Sequence, residues 1–170
     1  VGLPADDKSS FRYFMDQHLF NHINIPKENT HMLNGMAADL QKECDAYEKS
    51  IAANGGIDIA LVGIGQNGHV AFNEGHEQLD YKTHVETLSP HTLEVNTKAN
   101  GGPVPGKALT MGMGTVLQAK EIVLLATGEN KADAVYDMLY APVSTKRPAS
   151  LLRGHRKIPV LLDKGAAQRI

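Results

Sequence analysis

The chain has 170 residues, a length that suits one domain with a sizeable hydrophobic core. Hydrophobic residues make up 42% of the chain and charged residues 21%, and 17 basic against 19 acidic side chains give a net charge of −2. A near-neutral chain of this composition has no electrostatic footprint for nucleic acid or for an anionic membrane surface, so we expect neither as a partner.

The predicted location follows from cysteine usage and from apolar run length. A single cysteine, Cys44, has no partner for an internal disulfide, which is typical of a reducing compartment. The longest apolar run, Ile122 to Ala126, is too short to cross a bilayer. No signal-peptide pattern opens the chain, which begins with Val1. We therefore expect a cytoplasmic protein.

The first third of the chain predicts two helices. Ser9 and Ser10 precede apolar residues at helical spacing from Phe11 to His22, and Pro26 ends that region. A second helix is predicted over residues 37–53, stopped by a pair of glycines. Its apolar stripe consists of Leu40, Cys44, Tyr47 and Ile51.

Short β-rich runs alternate with helical patterns in the rest of the chain. The predicted strands cover residues 57–62, 83–88, 108–113, 121–128 and 157–163, of which the first and the fourth have the continuous apolar character of buried strands. Helices are predicted over residues 115–119 and 131–139, and a loop over residues 97–107. This alternation predicts an α/β fold, one domain over residues 1–170 with a mostly parallel, doubly wound sheet and helices on both faces.

A glycine-rich turn follows the first of these strands. Gly63, Gly65 and Gly68 form the G-x-G-x-x-G pattern of dinucleotide-binding proteins. That fingerprint also requires an acidic residue about 20 positions on, after a further strand, whereas Glu86 falls inside the next predicted strand. The motif therefore does not favour a nicotinamide site, and we expect no cofactor.

The same turn carries side chains suited to acid–base chemistry. His69 is followed by Phe72-Asn73-Glu74, and α/β proteins bind their ligands where parallel strands end. An imidazole that titrates near neutral pH can exchange a proton with a sugar ring oxygen, and a nearby carboxylate tunes its basicity. The alternative is an ordinary cap or surface pair, and the residues alone leave both open. A metal site is not predicted, because no second histidine follows at helical spacing.

The string GIGQNGHVAFNEG, residues 63–75, resembles the active-site segment of glucosamine-6-phosphate deaminases. The resemblance extends to VGLP at the start, to FNHINIPKENTHMLNG and to ALTMGMGTVLQAKEIVLLATGENKADAV, and so covers nearly all of the chain. The related 6-phosphogluconolactonases share the strand and the glycine turn but lack the Phe-Asn-Glu that follows here. This difference favours the deaminases.

The resemblance implies an enzyme of amino-sugar catabolism, an isomerising deaminase classed with hydrolases and isomerases. It would convert glucosamine 6-phosphate and water into fructose 6-phosphate and ammonia. By the resemblance His69 opens the sugar ring, and Glu74 is its catalytic partner. Asn67 stands where many members have Asp. An amide can orient an imidazole through a hydrogen bond but cannot stabilise its charged form, so we expect an altered pH profile.

A phosphorylated substrate needs cationic donors or backbone N–H groups. The resemblance assigns this role to Lys131. The alternative is that Lys131 is an ordinary lysine on the solvated surface. Lys98 stands where some members have arginine, and its point charge would recognise phosphate less specifically. Gly65 and Gly68 complete the predicted substrate-binding set. The expected partner is thus a small molecule, with a homo-oligomer left open.

Two parts of the family pattern have no counterpart in this sequence. The resemblance places the family's phosphate loop, its first strand and its proton-abstracting Asp ahead of Val1, and Asp6 and Asp7 belong to a different stretch. We therefore expect a domain incomplete at its N-terminus, with apolar sheet surface exposed, prone to self-association and inactive alone. The alternatives are a lactonase-like hydrolase and a non-catalytic sugar-phosphate-binding module.

Acidic and neutral residues over 75–86 predict no allosteric control.

Overall fold

The structure is a computed structural model that describes residues 1–170. Its helices are α1 (Phe11–His18), α2 (Leu40–Ala53), α3 (Pro90–Asn100), α4 (Met113–Leu117) and α5 (Ala132–Tyr140). Its strands are β1 (Ile59–Val62), β2 (His84–Thr87), β3 (Lys107–Thr110), β4 (Glu121–Ala126) and β5 (Val160–Leu162). None of the helices is both long and apolar enough to cross a membrane.

A three-stranded parallel sheet organises the fold, in the order β1-β4-β5. This confirms the predicted α/β class with a mostly parallel sheet. Strands β2 and β3 lie outside it as an antiparallel pair in which His84 faces Thr110. The reason is visible in β2, whose buried side chains are His84 and Glu86. A central parallel strand requires a nearly continuous apolar run instead.

Capping side chains set the helix boundaries. Ser10 accepts a hydrogen bond from the Tyr13 N–H at the start of α1. Helix α2 begins at Leu40 rather than at residue 37, because Asp39 accepts the Lys42 N–H and acts as the N-cap. Within the predicted stripe of α2 only Cys44 is fully buried.

Several predicted boundaries after residue 90 are corrected. Residues 97–100 were predicted as loop but form the last turn of α3, which ends at Gly101 with φ +70°. A 3-10 helix over Pro148–Gly154 was not predicted, and the last strand covers three residues rather than seven. The helix predicted from Lys131 is α5, shifted by one residue.

The core lies on one face of the parallel sheet. Ile122 and Leu124 of β4 are fully buried there against Val116 of α4, Val135 of α5 and Leu152 of the 3-10 helix. Burying such a side chain stabilises the fold by roughly 1.5–3 kcal/mol. This packing fixes the sheet that carries the glycine-rich turn at its edge.

The opposite face of the sheet is apolar and exposed. The exposed fractions are 62% for Ile59, 70% for Leu61, 47% for Leu125 and 52% for Leu161, all on this face of the sheet, and Leu125 pairs directly with Leu161. The prediction that β1 and β4 are buried on both faces is therefore wrong for this face.

Candidate active site

The glycine-rich turn closes on itself where β1 ends. The Gly65 N–H donates to the carbonyl of His69 at 2.9 Å, and the Gly68 N–H donates to the carbonyl of Gly65 at 3.0 Å. Gly68 has φ +82°, a conformation that residues with a Cβ rarely adopt. The Gly68 carbonyl accepts the Ala149 N–H at 2.9 Å, which ties the turn to the 3-10 helix. His69 is thereby held at the carboxyl end of the sheet.

The imidazole of His69 packs directly against Gly65. A Cβ built on Gly65 would lie 2.4 Å from Cε1 of the ring, far inside van der Waals contact. Gly65 therefore leaves the space in which the imidazole sits. Its predicted role in substrate binding, and that of Gly68, stay predictions.

The segment after His69 is anchored to the end of β3. The Phe72 N–H donates to Oγ1 of Thr110 at 3.0 Å. Asn73 is fully buried, and its Nδ2 donates to the carbonyls of Val70 at 3.0 Å and Met111 at 2.8 Å. We assigned no role to Asn73 from the sequence; it fixes the backbone that carries Glu74.

Glu74 is a buried carboxylate with donors from two elements. Its exposed fraction is 2%, and its Oε2 accepts from Nδ2 of Asn67 at 2.8 Å while its Oε1 accepts the Ser89 N–H at 3.1 Å. Burial raises the pKa of Glu74, but hydrogen bonds from Thr92, Ser89 and Asn67 and the charge of His69 outweigh burial, so the pKa is lowered. The carboxylate is therefore ionised at neutral pH.

Asn67 acts on Glu74 and on the turn rather than on the imidazole ring. Besides its bond to the carboxylate, its Oδ1 accepts the backbone N–H of His69 at 3.3 Å. The hydrogen bond to the imidazole that we expected is not formed. Asn67 is thus placed to orient both members of the pair without touching the ring nitrogens.

His69 lies beside this carboxylate as a largely buried imidazole. Its side chain is 18% exposed, and Nδ1 lies 3.8 Å from Oε2 of Glu74. Burial lowers the pKa of His69, the charge of Glu74 raises it, and the charges of Lys131 and His91 lower it further, with a net lowering. The ring is therefore neutral at neutral pH, and it hydrogen-bonds through Nδ1 to Thr92.

The two predicted lysines occupy different surroundings. Lys131 lies at the end of the turn Glu129–Lys131, which Asp163 holds by accepting the Gly128 N–H at 3.0 Å. Burial lowers the pKa of Lys131, and its charge acts on His69. Lys98 instead extends into solvent and pairs with Glu94 at 2.6 Å. The structure brings His69, Glu74 and Asn67 together, and the charge of Lys131 acts on His69. The roles of Lys131 and Lys98 stay predictions.

Helix α3 places further residues beside His69 and Glu74 that we did not predict. Ser89, His91 and Thr92 lie in or next to its first turn and all act on the pair of His69 and Glu74. The available signal was Ser89 followed by Pro90, because serine at the N-cap with proline at the first helical position marks a helix start.

The cluster combines a neutral imidazole, an ionised carboxylate and an ammonium group at the strand ends of a parallel sheet. Such a set can move a proton on a bound molecule and attract an anionic group. No group of three or more His, Cys, Asp and Glu side chains is arranged to hold a metal ion. The fold is that of an α/β protein, and its cluster of side chains is suited to proton transfer on a small anionic ligand.

Sequence comparison gives the family. The profile of the glucosamine-6-phosphate isomerases/6-phosphogluconolactonase family matches residues 2–160. Glucosamine-6-phosphate deaminase from Thermoanaerobacter sp. (strain X514) is 46% identical over 172 residues, an alignment that covers 100% of this chain and 68% of the relative. The deaminase from Clostridioides difficile (strain 630) is 46% identical, with 99% and 68% covered. The chain belongs to the glucosamine-6-phosphate isomerase/6-phosphogluconolactonase family.

Solved structures agree with this assignment. A monomeric glucosamine-6-phosphate deaminase superposes with a TM-score of 0.96 and 40% identity over 100% of this chain and 71% of its own. The 6-phosphogluconolactonase from Trypanosoma brucei has a TM-score of 0.74 and 22% identity, with 99% and 70% covered, and shows the likeness of fold alone. The family that the motif predicted is confirmed, and the names of the relatives support an enzyme of the deaminase and isomerase type rather than the predicted hydrolase class.

The substitution Gly65→Ala tests the packing of the imidazole. Since the new Cβ overlaps the ring, we expect His69 to move and the catalysed reaction to slow about 100-fold, the cost of a displacement near 1 Å. The ring signals of His69 in NMR spectra report the movement. Gly102→Ala is the control, because nothing lies within 4 Å of its Cβ position. Unchanged His69 signals in Gly65→Ala would contradict this packing.

The pH dependence of His69 tests its surroundings. Its pKa in the fold lies below the ordinary value of 6.5, so the unfolded chain binds a proton first as the pH falls. As the pH falls from 6.5 to this lowered pKa, His69 therefore reduces the free energy of unfolding. Below the lowered pKa the ring is protonated in both states, and the reduction stays constant. Glu74→Gln should lower the pKa of His69 further in an NMR titration. A higher pKa in that variant is the contrary result.

Proposed function

We propose that the chain is a glucosamine-6-phosphate deaminase, which turns glucosamine 6-phosphate and water into fructose 6-phosphate and ammonia. The observation that supports this most is the imidazole of His69, held 3.8 Å from the buried carboxylate of Glu74 and subject to the charge of Lys131. The two deaminases that are 46% identical to the chain support the same substrate.

Ring opening is the step for which this geometry is suited. The C1 hydroxyl gives its proton to Nε2 of His69, the ring nitrogen that no protein group engages, the C1–O5 bond breaks with its electrons on O5, and the proton passes to O5. Glu74 stabilises the imidazolium while it exists, because its carboxylate lies 3.8 Å from the ring. The result is the open-chain aldehyde of the amino sugar.

The next step transfers a proton from C2 to C1 and one from the amino nitrogen to O1, which gives a C2 imine. Water then converts this imine into a ketone and ammonia. Glu74 is the one carboxylate whose charge shifts the pKa of His69, and its oxygens already accept hydrogen bonds from Asn67 and Ser89. We propose that Glu74 serves ring opening and that a different base removes the C2 proton. Residues 1–170 correspond to 68% of the Thermoanaerobacter deaminase.

Phosphate binding is assigned to Lys131 in this proposal. Its half-buried ammonium group follows the turn at Gly128, where φ +91° directs the chain into α5. A phosphate beside Lys131 would lie at the same strand ends as His69. Lys98, exposed and paired with Glu94, would make at most a weaker contribution.

The cytoplasm is the proposed location. A phosphorylated sugar is an intracellular metabolite, and Cys44 is a buried free thiol. Self-association as a homo-oligomer is also part of the proposal, supported by the exposed apolar face of the sheet.

Formation of fructose 6-phosphate from glucosamine 6-phosphate tests the activity. The product of the complete reading frame that contains these 170 residues should show turnover, and His69→Gln and Glu74→Gln should each lower kcat at least about 100-fold while the fold is retained. Glu94→Gln, an exposed carboxylate of α3, is the matched control. Full activity in both site variants would refute the assigned roles, and hydrolysis of 6-phosphogluconolactone instead would refute the proposed reaction.

Lys131→Ala should raise KM for glucosamine 6-phosphate about tenfold or more, because a charge-assisted hydrogen bond to phosphate contributes roughly 1.5–3 kcal/mol. Lys98→Ala should have a smaller effect. Lys120→Ala serves as the control, since that lysine pairs with Asp58 on the surface. A KM that is the same in Lys131→Ala and in Lys120→Ala would remove Lys131 from the phosphate site.

A further inference from the structure

The influence of Glu74 on His69 does not pass through a direct hydrogen bond. Nδ1 of His69 and Oε2 of Glu74 are 3.8 Å apart, beyond hydrogen-bonding distance. The hydroxyl of Thr92 lies beside the ring, with Oγ1 3.4 Å from Nδ1 of His69. Its interaction with the carboxylate of Glu74 helps to lower the pKa of that carboxylate. Thr92 is 2% exposed, so water does not compete for these contacts.

The neighbouring Ser89 determines the direction of the hydroxyl protons. Oγ of Ser89 accepts the Thr92 N–H at 3.2 Å as the N-cap of α3, and it lies 3.1 Å from Oγ1 of Thr92. In the contact between the two hydroxyls Ser89 is the donor and Thr92 the acceptor. The proton of Thr92 is left for the ionised carboxylate of Glu74, an acceptor only.

A hydroxyl arranged in this way can only accept from His69. The one proton on Oγ1 of Thr92 is attracted by the negative charge of Glu74, and one of the two lone pairs of Oγ1 receives the proton of Ser89. The second lone pair is available to an N–H donor at Nδ1 of His69. The tautomer with the proton on Nδ1 is then favoured, and it places the lone pair of the ring on Nε2.

We propose that Thr92 is a positioning residue that links Glu74 to His69 and keeps the proton of the neutral ring on Nδ1, so that Nε2 faces the substrate as a proton acceptor. This inference rests on the proposed ring-opening role of His69. It adds to the site a residue from α3, a helix that carries none of the residues of the glycine-rich motif.

The alternative is that Thr92 has a purely structural role and only stabilises the N-terminus of α3. The two roles differ in what they do to the imidazole, because a cap stabilises α3 whereas a positioning hydroxyl selects one tautomer of the ring. The side-chain nitrogen signals of His69 distinguish them, and they are measured on the free protein without substrate.

The experiment compares Thr92→Val, which removes the hydroxyl at nearly constant volume, with Thr92→Ser, which keeps it. Nitrogen-15 NMR of His69 should show the Nδ1–H tautomer in the natural chain and in Thr92→Ser, and a substantial Nε2–H population in Thr92→Val. With the complete reading frame, kcat should fall about 100-fold in Thr92→Val with KM nearly unchanged. Thr115→Val is the control, because it removes another buried hydroxyl, which donates to Glu48.

An unchanged tautomer in Thr92→Val, or failure of Thr92→Ser to keep the natural tautomer, would overturn the positioning role. If Thr92→Val does not fold, Ser89→Ala takes its place. This variant removes the hydroxyl that donates to Thr92, so it should also raise the Nε2–H population of His69. An unchanged Nε2–H population would overturn the positioning role of Thr92. A tautomer change in a protein that lacks deaminase activity would support Thr92 and refute the proposed function, so the two failures are distinguishable.

Discussion

The buried, ionised carboxylate of Glu74 is the constraint on which the rest of the site depends. An unpaired charge away from water costs several kcal/mol, so it persists only where donors surround it. Those donors come from the glycine-rich turn through Asn67 and from the start of α3 through Ser89 and Thr92. Each element must therefore occupy its place before Glu74 can be both buried and charged, which couples the turn after β1 to a helix that follows the β2 strand.

The same carboxylate balances the charges that act on His69. Burial and the ammonium group of Lys131 disfavour a charged imidazole, whereas Glu74 favours it. Opposing influences of this kind keep a base neutral at rest and still able to take up a proton briefly, as general acid–base catalysis requires. A phosphate bound beside Lys131 would offset the charge of the lysine and make the imidazole more basic once the ligand is in place.

Local patterns predicted much of the fold and about half of the site. Strands β1 and β4, helix α5 and the turn with His69 and Glu74 follow from short apolar runs and glycines, whose effects are local. Helix α3 was not predicted. One reason is that its last turn contains Asn, Thr and Lys before two glycines, a composition shared with loops. The antiparallel pairing of β2 with β3 and the contact of Ser89 with Glu74 depend on tertiary packing, which no sequence window contains.

The one-sided packing of β1 has a consequence for motion. This strand leads directly into the turn that holds His69, yet Ile59 and Leu61 contact solvent on its outer face. Backbone amides in elements with few buried contacts exchange with water through local openings that cost less than global unfolding. The lifetime of the aligned His69–Glu74 pair is therefore linked to how firmly the outer face of β1 is covered: a surface far from the chemistry sets how long the proton-transfer geometry lasts.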